Sequence, residues 1–191
     1  MVSTIVTYLV SAMMVWCPLS AHRYSQSSTM TDEEKDAYTL TRYQAIAQDV
    51  AEVAFDADEK PIFKEPGVIG RLESALLALS IASYESGEFR EDVDTVKGTG
   101  DHGRSHCLMQ ILLRPGEEMK DRKDCFRLGF SRIRESFDSC PGYRTEDKLS
   151  VYARGTCDHK WGIRNSRMKM KRAKSWLAEH IFFLPLEEEN Q

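Results

Sequence analysis

The chain has no apolar stretch long enough for a comfortable membrane span, no internal repeat and no low-complexity tract. Its most apolar run, residues 1–16, reads MVSTIVTYLVSAMMVW and stops short of the roughly 20 residues a bilayer needs. No Lys or Arg precedes Arg23, so the basic start of an export signal is missing, although Ala21 offers a cleavage point. Cys17 after Trp16 fits a lipoprotein processing site poorly. The alternative for this segment is packing on the domain or on a partner. CxxC and HExxH spacings are absent; His102, His106 and Cys107 cluster, and His159 follows Cys157 closely, but neither group has a zinc spacing. No metal and no cofactor is therefore expected. A net charge of −4 is too mild to name a partner. The interleaved aromatics that stack bases are also lacking, so nucleic acid is not an expected partner.

What the chain does carry is helical periodicity. Its 191 residues with 41% apolar content suit one core of ordinary size. Thr31 and Glu34 form a capping box, and Leu40, Tyr43, Ile46, Val50 and Val53 follow at helical spacing. Residues 56–66, with Pro61 and Pro66, read as a loop. Phe126, Phe130, Ile133 and Phe137 place a second amphipathic helix over 117–137, and a shorter helix runs from the turn at Gly142 through Tyr152, antiparallel to it. The expected fold class is mainly α (α+β), with a small β or loop region in the middle of the chain.

The run from Leu72 to Tyr84, LESALLALSIASY, leaves no broad wet face and belongs inside a core. Glu85 ends it and is followed by Ser86 and Gly87. A carboxyl there would be partly desolvated and would face the negative pole of the helix. Both effects favour the protonated form that a general acid needs. The plainer reading is a solvated Glu on a fraying helix end.

Three ordered segments give Glu85 a context: ESG at 85–87, Ser105-His106-Cys107-Leu108-Met109-Gln110-Ile111, and Val151-Tyr152-Ala153-Arg154-Gly155. Together they resemble the motifs of the soluble lytic transglycosylases, which share the lysozyme-like fold with goose-type and chicken-type lysozymes. The resemblance spans about residues 70–157 and lies in the ordered triple, each piece being weak alone. It implies a lysozyme-like helical domain over residues 31–182, with 1–30 an apolar segment and linker and 183–191 a polar tail. It further implies Glu85 as catalytic acid/base, with Ser86, Ser105, Met109 and Gln110 lining the sugar cleft or holding the acid, and Tyr152 hydrogen-bonding near it. Two positions depart from the family: Cys107 stands where a Gly is usual, and Ala153 where an Asn is usual.

The position of the second carboxylate of chicken-type lysozymes is Ser105, which cannot act as one. Asp92, Asp94 and Asp101 lie in the loop between motifs, and their ordinary role is turn formation. With one secure carboxyl, the resemblance implies cleavage of the MurNAc-GlcNAc β-1,4 bond of peptidoglycan to a 1,6-anhydro product, assisted by the substrate's own acetamido group. The alternatives are a goose-type hydrolase helped by a loop aspartate, and a noncatalytic wall-binding or virion structural protein. The implied location is extracytoplasmic or virion-associated.

Cys107, Cys125, Cys140 and Cys157 allow three pairings. An antiparallel helix pair would bring Cys157 back towards Cys125, so Cys125–Cys157 is the expected bridge, against a fully reduced set. The stretch 160–174 carries Arg164, Arg167, Lys169, Lys171, Arg172 and Lys174 with no acidic residue. Such a run is ordinarily a solvated face, and its functional reading is attraction to an anionic polymer such as the cell wall.

Overall fold

Thr31 opens its helix as the capping box requires: its hydroxyl accepts from Glu34 N at 3.2 Å, and the Glu34 carboxylate accepts from Thr31 N at 2.7 Å. In the computed structural model, which describes residues 2–63, 67–94, 99–100 and 103–181, this helix is α2, Asp32–Phe55. Tyr43, Ile46, Val50 and Val53 are buried along it and Leu40 is partly buried. Before it comes α1, Val2–Trp16; after it come α3, Gly67–Glu85, α4, Arg122–Ser139, α5, Ser150–Arg154, and α6, Lys160–His180. Between α3 and α4 lies a small antiparallel sheet, β1 Thr99–Gly100, β2 Ser105–His106 and β3 Ile111–Leu112, with β2 in the middle and Ser105 opposite Gly100 and Leu112. The fold is mainly α with a small β region.

The hydrophobic run puts α3 at the centre. From Leu72 to Ser83 every residue is buried, and the helix packs on α1, α2, α4 and α6. It starts at Gly67, five residues before the apolar run. The apolar helix α1, for which packing on the domain was one expected place, contributes to the same core. Ile5, Leu9, Ala12 and Met13 are buried against it, and Tyr43 Oη donates to Cys17 O at 2.9 Å. Among the described residues no single helix is long and apolar enough to cross a membrane; α1 with the following 3-10 turn, Leu19–Ser25, passes such a test only as a pair bent by 67°. The expected polar tail, 183–191, and Pro66 lie outside the described residues.

α4 begins at Arg122 rather than at 117, because the Asp121 side chain accepts from Asp124 N at 2.8 Å and caps the helix there. Upstream, the Glu117 carboxylate instead binds Arg114 N at 2.8 Å and the Arg132 guanidinium. The expected helix through Tyr152 is a 3-10 turn, Thr145–Asp147, followed by the five-residue α5, which Gly155 ends at φ +74°. Gly162 of α6 lets α5 come close: a Cβ there would sit 2.4 Å from Ser150 Oγ and 3.2 Å from its carbonyl oxygen.

This short α5 also corrects the disulfide pairing. The bridges are Cys107–Cys125 and Cys140–Cys157, with Cα–Cα separations of 6.1 and 5.8 Å, and not Cys125–Cys157. Five helical residues rise only about 8 Å, whereas the 18 residues of α4 span about 27 Å. The chain therefore meets α4 near its C-terminal end, at Cys140. Cys17 is a buried free thiol, pushed up in pKa by that burial, 3.2 Å from Ser83 Oγ.

Candidate active site

Glu85 is the last residue of α3, and the turn behind it fixes its position. Gly87 takes φ +63°, and Glu88 N donates to Ser83 O at 2.7 Å, the pattern that closes a helix on a left-handed glycine. Ser86 is buried with its hydroxyl fully employed, donating to Ala82 O at 2.6 Å and accepting from Phe89 N at 2.8 Å. Both bonds serve the turn that ends α3. Phe89, at φ +59°, seats its ring 5.5 Å from that of Tyr43 and locks the turn to α2.

The second segment forms a turn of its own after β2. Gln110 N and Nε2 both donate to Cys107 O, at 3.0 and 2.8 Å, and Gln110 takes φ +49°. Met109 is fully buried beside Gly129 of α4, and Ser105 is buried in the central strand. Cys107 takes φ +59°, the left-handed region that favours glycine. Here a cysteine accepts that conformation, and its bridge to Cys125 ties the turn to α4. In a Cys125→Ala background, Cys107→Gly is expected to be more stable than Cys107→Ala by about 1 kcal/mol, measured by urea denaturation. Equal stabilities would mean the turn is not held in that conformation once the bridge is gone.

The third segment supplies Tyr152, whose hydroxyl donates to Met109 O at 2.6 Å. Its backbone N donates to Ser136 Oγ at 3.0 Å, while that hydroxyl donates to Lys148 O at 2.5 Å. Burial, reinforced by the negative charge of Glu85, pushes the Tyr152 phenol well above its ordinary range. Tyr152 is thus a neutral hydrogen-bond donor. Beside it an open groove of about 480 Å³ is lined by Gln110, Leu112, Arg114, Arg132, Glu135 and Tyr152, among others.

Glu85 itself has a partner that sequence reasoning missed. Lys169 of α6 is 1% exposed, and its ammonium donates to Glu85 Oε1, whose side chain is 27% exposed. Desolvation and the helix pole were the influences legible in sequence; the structure adds a buried ammonium at the same carboxylate. Burial pulls the Lys169 pKa below its ordinary value, against the raising influence of Glu85. One signal could have found it. Lys169 falls on the stripe of Ser166, Ala173 and Trp176 that α6 turns inward, an uncommon place for a lysine.

The other charged residues are mostly committed elsewhere. Asp94, with a 3% exposed side chain, binds Arg42 at 2.9 Å and Arg122 at 2.7 Å, whereas Asp92 pairs with Arg90 at the surface. Asp101 and His102 lie outside the described residues. His159 accepts from Gly162 N at 3.2 Å and caps α6. Cys107 and Cys157, being bridged, are not thiolate ligands. The basic run on α6 is partly consumed: Arg167 pairs with Asp147, Lys174 with Glu146, and Arg172 lies over the rings of Tyr84 and Trp16.

No family model, curated protein or solved structure matches this chain.

Proposed function

We propose that this protein is a peptidoglycan lytic transglycosylase of the soluble, lysozyme-like type, with Glu85 as its acid/base. The supporting observation is convergence. Segments separated by up to 67 positions, Glu85 to Tyr152, meet at one site: the Tyr152 hydroxyl grips the Met109 carbonyl, and Tyr152 feels the charge of Glu85. One carboxyl whose charge reaches the Tyr152 phenol, together with a groove of about 480 Å³ that this phenol lines, is equipment that substrate-assisted cleavage can use.

In this reading Glu85 protonates the glycosidic oxygen as the C1–O bond breaks, and the substrate's acetamido oxygen stabilises the cationic sugar. The Glu85 carboxylate then takes the C6 hydroxyl proton while that oxygen closes on C1. Asp94 cannot provide the second carboxylate of a hydrolase without abandoning two arginines. Arg114 and Arg132, joined through Glu135, give the groove polar groups for the strand's hydroxyl and carboxyl substituents. The location that follows is extracytoplasmic or virion-borne, in keeping with two disulfides.

The test is release of soluble fragments from purified sacculi by the purified, oxidised protein. Release above a heat-inactivated control supports cleavage. Retention on sacculi with no release would favour a noncatalytic wall binder.

A further inference from the structure

A resting ion pair is an awkward state for an acid, because a carboxylate facing an ammonium has no proton to give. The geometry of the pair suggests how the proton reaches it. Lys169 reaches the site from inside the core, with its backbone carbonyl accepting from Ser80 Oγ of α3 at 3.0 Å. Its Nζ lies 5.9 Å from the centre of the Tyr152 ring, but the Tyr152 hydroxyl is committed to Met109 O. The ammonium therefore meets a π-face and one carboxylate. The remaining charges on the packed elements point elsewhere. On α6 itself, Arg172 reaches Ser83 Oγ at 3.1 Å; on the 3-10 turn, Asp147 and Glu146 bind Arg167 and Lys174; on α4, Arg132 binds Glu117 and Glu135.

We infer that Lys169 is the positioning residue for Glu85, holding its carboxylate in the resting site and handing it the proton that the departing sugar oxygen receives. The inference rests on the reading of Glu85 as the acid. A sugar laid over the exposed part of Glu85 removes the last water from the pair, and loss of water penalises two charges more than two neutral groups. One N–H bond of Lys169 breaks and one O–H bond forms on Glu85, leaving a carboxylic acid beside an amine. Glu85 passes that proton to the glycosidic oxygen, which leaves with the electron pair of the C1–O bond. The C6 hydroxyl proton then moves to Glu85 and back to Lys169 as the new C1–O bond closes. Protons and charge balance over the cycle, and nothing else is consumed.

Lys169→Arg separates this role from simple charge pairing, because a guanidinium keeps the cation but does not give up its proton. It is expected to melt near the wild-type temperature and to bind sacculi with unchanged KM. Its kcat should fall about 100-fold, and the pH profile of its remaining activity should shift towards acid. Wild-type kcat and an unshifted pH profile in Lys169→Arg would overturn the inference. Should Arg not fit the buried site, Lys169→Met carries the same expectation for the pH profile.

A second readout does not depend on activity. In 15N NMR of the Lys169 amine, titration is expected below the ordinary 10.5, and lower still in Glu85→Gln. Titration at the ordinary value, unmoved by Glu85→Gln, would also overturn the inference. If the protein releases nothing from sacculi, the functional reading fails, and this titration still decides whether the two groups share a proton.

Discussion

Glu85→Gln is expected to reduce the release of soluble wall fragments by about 1000-fold while leaving the helical fold intact, because in the proposed reaction one group serves as both acid and base. The substitution also removes the counter-charge of a buried ammonium, so some stability is lost, up to about 3 kcal/mol. Activity must therefore be normalised to folded protein, by circular dichroism and a melting curve. The stability loss has a pH signature of its own. With its partner gone, Lys169 has a folded-state pKa below its unfolded one, and the unfolded chain binds more protons. The penalty is present in full below the folded pKa and shrinks as pH rises through it. Glu85→Gln should thus approach wild-type stability on the alkaline side. If wall release per folded molecule is unchanged, Glu85 is not the acid.

Asp94→Asn should behave in the opposite way, with a large effect on stability and a small one on the chemistry. Asp94 neutralises Arg42 of α2 and Arg122 of α4, and Arg122 also reaches Asp49 at 2.7 Å. The loop that follows the turn after Glu85 is thereby fastened to two helices. Removing one carboxylate leaves two guanidiniums facing each other, one with an 11% exposed side chain, at a cost of about 3 kcal/mol. Urea denaturation should show a lower midpoint with an unchanged slope. Turnover per folded molecule should stay within a few fold of wild type. A stable but inactive Asp94→Asn would instead support hydrolysis with a loop aspartate as the second carboxylate.

The parts of this fold that sequence revealed are those where local chemistry decides. Thr31 and Glu34 can satisfy each other without the rest of the chain, so the start of α2 was legible. The run after Leu72 has no face to give to water, so its central burial was legible too. Of the three motifs, the second and third touch through the hydrogen bond from the Tyr152 hydroxyl to Met109 O, a contact between residues 43 positions apart.

What was hidden depends on which surfaces come together. Lys169 sits in a run of basic residues that reads as a wet face. Only the crossing of α6 over the end of α3 turns this one lysine inward. Cysteine pairing depended on the length of α5, which Gly155 cuts short by a backbone conformation rather than by any change in hydropathy. The N-terminal helix offered an apolar surface with several plausible destinations, and its place against α2 and α3 follows from their packing. In the sequence Cys107 showed only as a cysteine where the resemblance has a glycine. Its left-handed backbone and bridge to Cys125 make it instead the anchor of the Gln110 turn.

The most direct measurement is the mass of the fragments that wild-type protein releases from sacculi, with and without borohydride reduction. The account predicts muropeptides ending in 1,6-anhydro sugar, which borohydride leaves unchanged and which Glu85→Gln does not produce. Fragments with reducible ends, or equal yields from Glu85→Gln, would contradict it.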